Sequence, residues 1–141
     1  MTQEDKDLLL QDLSARLPYG VKCVSGVDDA TLIVEGINPN CCGASEVQVT
    51  YERSGINFDT TISAIKPYLF PLSSMTEEQK NEYHYIVNYI SSDDTENWKE
   101  GEFVYVDQFS QLMHFYHINH LDYMGLIPKG LANDATGLNI Y

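Results

Sequence analysis

The amino-acid sequence predicts an α+β fold: an N-terminal helix, a small antiparallel SH3-like barrel or curled sheet, then two helices and an irregular C-terminal tail. Three observations predict it. Leucines recur at helical spacing near the start, short alternating segments separated by turn residues follow, and capping signals return after residue 75. The 141 residues suit one domain. It divides into a leading helix at 1–18, a barrel-like module at 19–65, and a helical annex with tail at 66–141.

Helix one is expected over about residues 3 to 17. Thr2 and Asp5 can take up free amides of a first turn, and Leu8, Leu9, Leu10, Leu13 and Leu17 give one apolar stripe. Pro18 and Gly20 punctuate its end. The period then changes from that of a helix to that of a strand. Val21 to Val24 and Thr31 to Val34 are short β-branched runs. In Val47–Tyr51 and Ile56–Ile62 every second residue is apolar or small, which puts one set on one face of a strand. Turn signals lie between the runs: Ser25-Gly26 with Asp28-Asp29, Asn38-Pro39-Asn40, and Ser54-Gly55. Lys66 to Pro71 reads as an ordered connector rather than a central strand, because Pro67 and Pro71 lack donors.

Thr76 with Gln79 forms a capping box, with Glu77 and Glu78 in the first turn where the helix dipole favours acid. The second helix should run to about Ile90, with Tyr83, Ile86, Val87 and Ile90 inward. Residues 91–102 read as an acidic loop holding Trp98, the single tryptophan. Phe103–Val106 fits a strand or a helical lead-in. Asp107 then caps a third helix whose stripe is Phe109, Leu112, Met113 and Tyr116. The chain beyond His120 turns through Gly125, Pro128, Gly130 and Gly137.

Charge and apolar content pull in opposite directions. The formal charge is −13, from 21 acids against 8 bases, yet 43% of residues are hydrophobic and ten are tyrosine. That content supports a core, so the acid belongs to a folded surface. The field repels phosphate backbones and anionic lipid, which argues against nucleic-acid and membrane partners; it suits a basic protein, although solubility alone is the plainer reading of it. There is no apolar run of membrane-spanning length. The acidic start, Met1 to Asp7, lacks the basic head of a secretory signal, so a cytoplasmic location is expected. Cys23, Cys41 and Cys42 are an odd set without Cys-x-x-Cys spacing, which fits a reducing compartment and small buried fillers.

Three stretches carry a resemblance: Leu13–Cys23, Ile65–Gln79, and Asn119–Ala132. Together they resemble a family of small proteins from gut Bacteroidetes genomes and their phages and mobile elements. The resemblance spans about a third of the chain and implies an accessory or phage–host role. It brings no activity, cofactor or catalytic residue. Leu121 stands where that family has an aromatic and Met124 where it has a base, so the resemblance gives no anion site at the His120 turn.

His114, His117 and His120 fall three apart and would share one broad helical face. With His84 they are the candidate zinc site, although His-Glu-x-x-His is absent. The intervening aromatics favour histidines bonded to their surroundings instead. Gly-x-Ser-x-Gly, Gly-x-Gly-x-x-Gly and the Walker pattern are all missing, so no catalytic residue, cofactor or metal is assigned. Tyr19, Tyr68, Phe70, Tyr85, Trp98 and Tyr123 are not all accounted for by the inward stripes and allow an exposed aromatic patch, although Tyr68 and Phe70 read better as staples between barrel and helices. The reading is a non-enzymatic protein-binding module with an acidic, aromatic surface. Its candidate binding residues are Tyr68, Trp98, His120, Asp122 and Tyr123. The alternative is a metal-binding protein or small enzyme on the histidine face.

Overall fold

The computed structural model of the chain describes residues 1–38, 46–91 and 101–141, with side chains described except at 88–91 and 101–108. Helix α1 spans Gln3–Arg16, and the hydroxyl of Thr2 accepts the Asp5 amide at 3.1 Å, as a helix cap does. Its buried residues are Leu9, Asp12, Leu13 and Arg16. That spacing of three, one and three is a helical face, so two charged side chains ride on the apolar stripe. A single 3-10 turn at Leu17–Tyr19 follows, and Gly20 closes it with a φ of 69°.

Strands β1 (Lys22–Ser25), β2 (Thr31–Ile37), β3 (Val47–Tyr51) and β4 (Asn57–Thr60) form an antiparallel meander. The predicted alternation is realised: Val47 and Val49 are buried while Gln48 between them is exposed. A bulge between Val34 and Gly36 shifts the register of β2 against β3. Strand β5 (Ile65–Leu69) returns to pair antiparallel with β1, and β6 (Asn133–Asp134) adds parallel to β5. The sheet order is β4-β3-β2-β1-β5-β6.

Only residues 61–64 link β4 to β5, which three intervening strands separate in the sheet. Strands lie about 4.8 Å apart, so a flat sheet would hold β4 and β5 some 19 Å from each other. Five peptide steps reach only about 17 Å. The sheet therefore curls, yet β4 and β5 do not pair. The SH3-like barrel is not closed, and the curled sheet is the form present.

The connector expected at Lys66 to Pro71 is in its first part strand β5, with Pro67 opposite Cys23. The short β6 begins only alongside Tyr68, so the amide that Pro67 lacks has little ladder to serve. Leu9 and Leu13 of α1 meet Cys23, Leu32, Val34, Val47, Val49, Ile65 and Leu69 in the main core.

Helix α2 spans Glu77–Ser91 and α3 spans Gly101–Ile118. Asp107 thus lies inside α3 and does not cap it; the helix includes Gly101–Val106, ahead of the start the sequence indicates. Its inward face is centred on the buried Phe115 with Leu112 and Tyr116, whereas Phe109, expected inward, is exposed. Ile86 of α2 is buried as expected, with Tyr83 and Val87 half-buried. Ile90 and the side chains of Phe103–Val106 lie outside the described ones, as do residues Cys41, Cys42 and Trp98.

Candidate functional site

Two places gather the chemistry-bearing side chains. The first is a buried joint where α1, the end of α3 and the tail meet. Helix α3 ends in two reverse bonds: the His120 amide donates to the His117 carbonyl at 3.1 Å, and the Leu121 amide to the Tyr116 carbonyl at 2.9 Å. This is a Schellman motif with His120 in its left-handed position at a φ of 52°. A side chain there costs about 1 kcal/mol that glycine would not.

Around that turn the side chains bind one another. Arg16 pairs with Asp12 at 2.7 Å, and neither side chain has any exposure. Arg16 also donates to the Leu121 carbonyl at 2.7 Å and lies 5.2 Å from the centre of the Tyr123 ring. The Tyr123 hydroxyl meets His117 Nε2 at 2.9 Å, and its ring stacks on Tyr116. His120 stacks on Tyr141, with 3.6 Å between ring centres and 11° between planes. Asp122 accepts the amides of Leu126 and Ile127 on its two oxygens and so fixes the turn that follows. Its own amide, and that of Phe70, tie this turn to the end of β5.

The electrostatics follow from burial. Loss of water pulls His117 and His120 down to about 4, and the nearby Arg16 guanidinium adds to the effect on both. Burial pushes the Asp12 carboxyl up, against the opposing pull of Arg16. Among the described residues, three buried polar atoms of the joint have no hydrogen-bond partner: Asp12 Oδ1, Arg16 Nη1 and His120 Nδ1.

The second place is a groove between α2 and α3. Gln79 bonds Asn119 at 3.0 Å and Tyr83 packs on Phe115, so the two helices run antiparallel. Further along, Glu82, Tyr85 and Ile86 of α2 face Ser110, Gln111, His114 and Phe115 of α3 across a groove of about 370 Å³. Ile86 and Phe115 form its apolar floor. Tyr85 is 70% exposed, and Phe109, next to Ser110, is 60% exposed.

Comparison with known proteins gives no bearing: no family model, no curated protein and no solved structure matches the chain. The assignment rests on geometry.

That geometry redistributes the predicted site residues. His120, Asp122 and Tyr123 come together in the joint, but His120 and Asp122 are buried and hold the fold rather than face a partner. Tyr68 lies close by, its carbonyl bonded by the Tyr141 hydroxyl at 2.9 Å. Trp98 is outside the described residues. His114 and His117 share a face, both rings lying against Tyr19 at 5.5 and 5.4 Å between ring centres, and His120 departs from it. His114 bonds the Tyr19 hydroxyl at 3.0 Å, His117 bonds Tyr123, and His120 lies past the helix end on Tyr141. Among the described residues no three His, Cys, Asp or Glu side chains gather as around a metal ion. Cys23 is buried, which pushes its thiol up and away from reactivity.

Sequence reasoning missed Asp12, Arg16 and Tyr141. The first two were detectable as an i, i+4 pair in step with Leu9 and Leu13; the third carries no local signal. Among the described residues no helix is long and apolar enough to cross a membrane.

Proposed function

We propose that the chain is a non-enzymatic binding module that engages a basic protein partner through the outer face of α2 and α3. The observation that carries this is the surface of α2. Glu77, Glu78 and Glu82 are exposed, and Tyr85 stands 70% exposed one turn beyond them at an apolar groove. Exposed aromatics beside apolar floor are what interface centres are made of. Acid around them steers a basic partner and rejects acidic ones, adding to the field of the −13 net charge.

The histidines support the same reading from the other side. His117 is bonded to Tyr123 and His120 is stacked on Tyr141, both buried inside the joint and away from the outer face of α2 and α3. An accessory or phage–host role, as the sequence resemblance implies, and a cytoplasmic location, as the acidic start suggests, are both compatible with such a module.

The test is selection from a random peptide library on the immobilised chain. Lys- and Arg-rich peptides carrying apolar residues should be enriched, and the enrichment should vanish on Tyr85→Ala. Enrichment of acidic peptides, or selection unchanged by Tyr85→Ala, overturns the reading.

A further inference from the structure

We infer that the groove between α2 and α3 receives an amphipathic helix, its apolar face flanked by Lys or Arg. This rests on the binding-module reading and adds the shape of what is bound. The first argument is geometric. Two antiparallel helices leave one long furrow between them, and the body that fits it with ridges in grooves is a third helix.

The second argument is the lining. Ile86 and Phe115 lie at the floor, already buried with Leu121, and Tyr85 stands exposed at the rim, so an incoming helix would meet an aromatic surface above an apolar floor.

The third argument is charge. Glu78 and Glu82 stand four apart, one above the other on α2, and both are exposed. Glu82 lines the groove, and the ring of Tyr85 lies three residues further on. Lys80, the base nearest in sequence, already pairs with Glu77 at 3.3 Å. A helix with bases along the borders of its apolar stripe meets this acidic lip and aromatic wall together. An acidic helix would be repelled by it.

The experiment follows amide shifts in labelled protein while three synthetic fourteen-residue probes are added. One is a Leu/Lys amphipathic helix, one its Leu/Glu counterpart, and one a Lys/Ser peptide of equal charge without an apolar face. Binding of the Leu/Lys probe should move Ile86, Ser110, His114 and Phe115, and should weaken at least tenfold on Glu82→Lys. Asp59→Lys on β4 makes the same charge change elsewhere and should weaken it less than twofold. No response to Leu/Lys, or shifts confined to other faces, overturns the proposal. Equal weakening by Glu82→Lys and Asp59→Lys, or Lys/Ser binding as well as Leu/Lys, also overturns it, yet leaves a basic partner for the module intact. Loss of basic-peptide enrichment in the library selection would instead sink the parent reading.

Discussion

Arg16 and Leu121 are joined by a 2.7 Å hydrogen bond across 105 residues of chain, from the guanidinium of α1 to a carbonyl just past the end of α3. The same guanidinium holds Asp12 one turn earlier. One side chain therefore fixes the N-terminal helix to the point where the helical hairpin joins the sheet. Buried ion pairs contribute little net stability, but breaking one leaves an uncompensated charge. Arg16→Met should cost about 3–5 kcal/mol in urea unfolding, because Asp12 is stranded. Asp12→Leu combined with Arg16→Met should recover part of that loss. A cost under about 1 kcal/mol for Arg16→Met would show that the joint is held by packing alone.

How far the sequence disclosed this arrangement depends on the range of the forces. The capping box was readable because it is local: the Gln79 amide donates to the Thr76 hydroxyl at 3.2 Å and the Thr76 amide to the Gln79 carboxamide at 2.9 Å. Strand alternation in Val47–Tyr51 was readable for the same reason. Strand β5 was hidden, since Pro67 argues against a strand unless the shortness of β6 is known. The candidate residues His120, Asp122 and Tyr123 are neighbours in sequence and lie together in the joint. Their inward orientation was not legible, because it is imposed by Arg16 and Tyr141 from the two ends of the chain.

The joint should loosen in acid. His117 and His120 are pulled down to about 4 by burial, with Arg16 adding to both. An unfolded histidine titrates near 6.5, so the unfolded chain takes up protons first as pH falls. The stability these groups contribute is present above about 6.5 and is lost as pH drops towards 4. Asp12 has the opposite sign, since its carboxyl is pushed up, and offsets part of the loss. Lys22 and His114 also face these rings and oppose their protonation. Each histidine can remove on the order of 2 kcal/mol between pH 7 and pH 5. His120→Asn keeps a residue tolerant of the left-handed turn and removes one titration. Its unfolding free energy should fall less steeply between pH 7 and pH 5 than that of the unaltered protein. An equal slope in the two proteins would show that His120 does not titrate with folding.

Tyr141 makes a further test, because its hydroxyl stands where two strands would otherwise meet. Cys23 opposes Pro67 and Val24 opposes Lys66, so the next pair in that register is Lys22 with Tyr68. Instead the Tyr141 hydroxyl accepts the Lys22 amide at 2.9 Å and donates to the Tyr68 carbonyl at 2.9 Å. Burial drives this phenol upward, so it stays protonated and able to donate. Tyr141→Phe keeps the ring on His120 but removes the bridge. If the curl of the sheet prevents β1 and β5 from closing the gap, both backbone groups lose their partner, at a cost of about 1–3 kcal/mol. The Lys22 amide should then exchange with solvent at least tenfold faster, while the amide of Val49, two strands away, keeps its relative protection. Unchanged exchange at Lys22 would mean that the strands pair directly once the hydroxyl is gone, and that the wedge contributes position rather than stability.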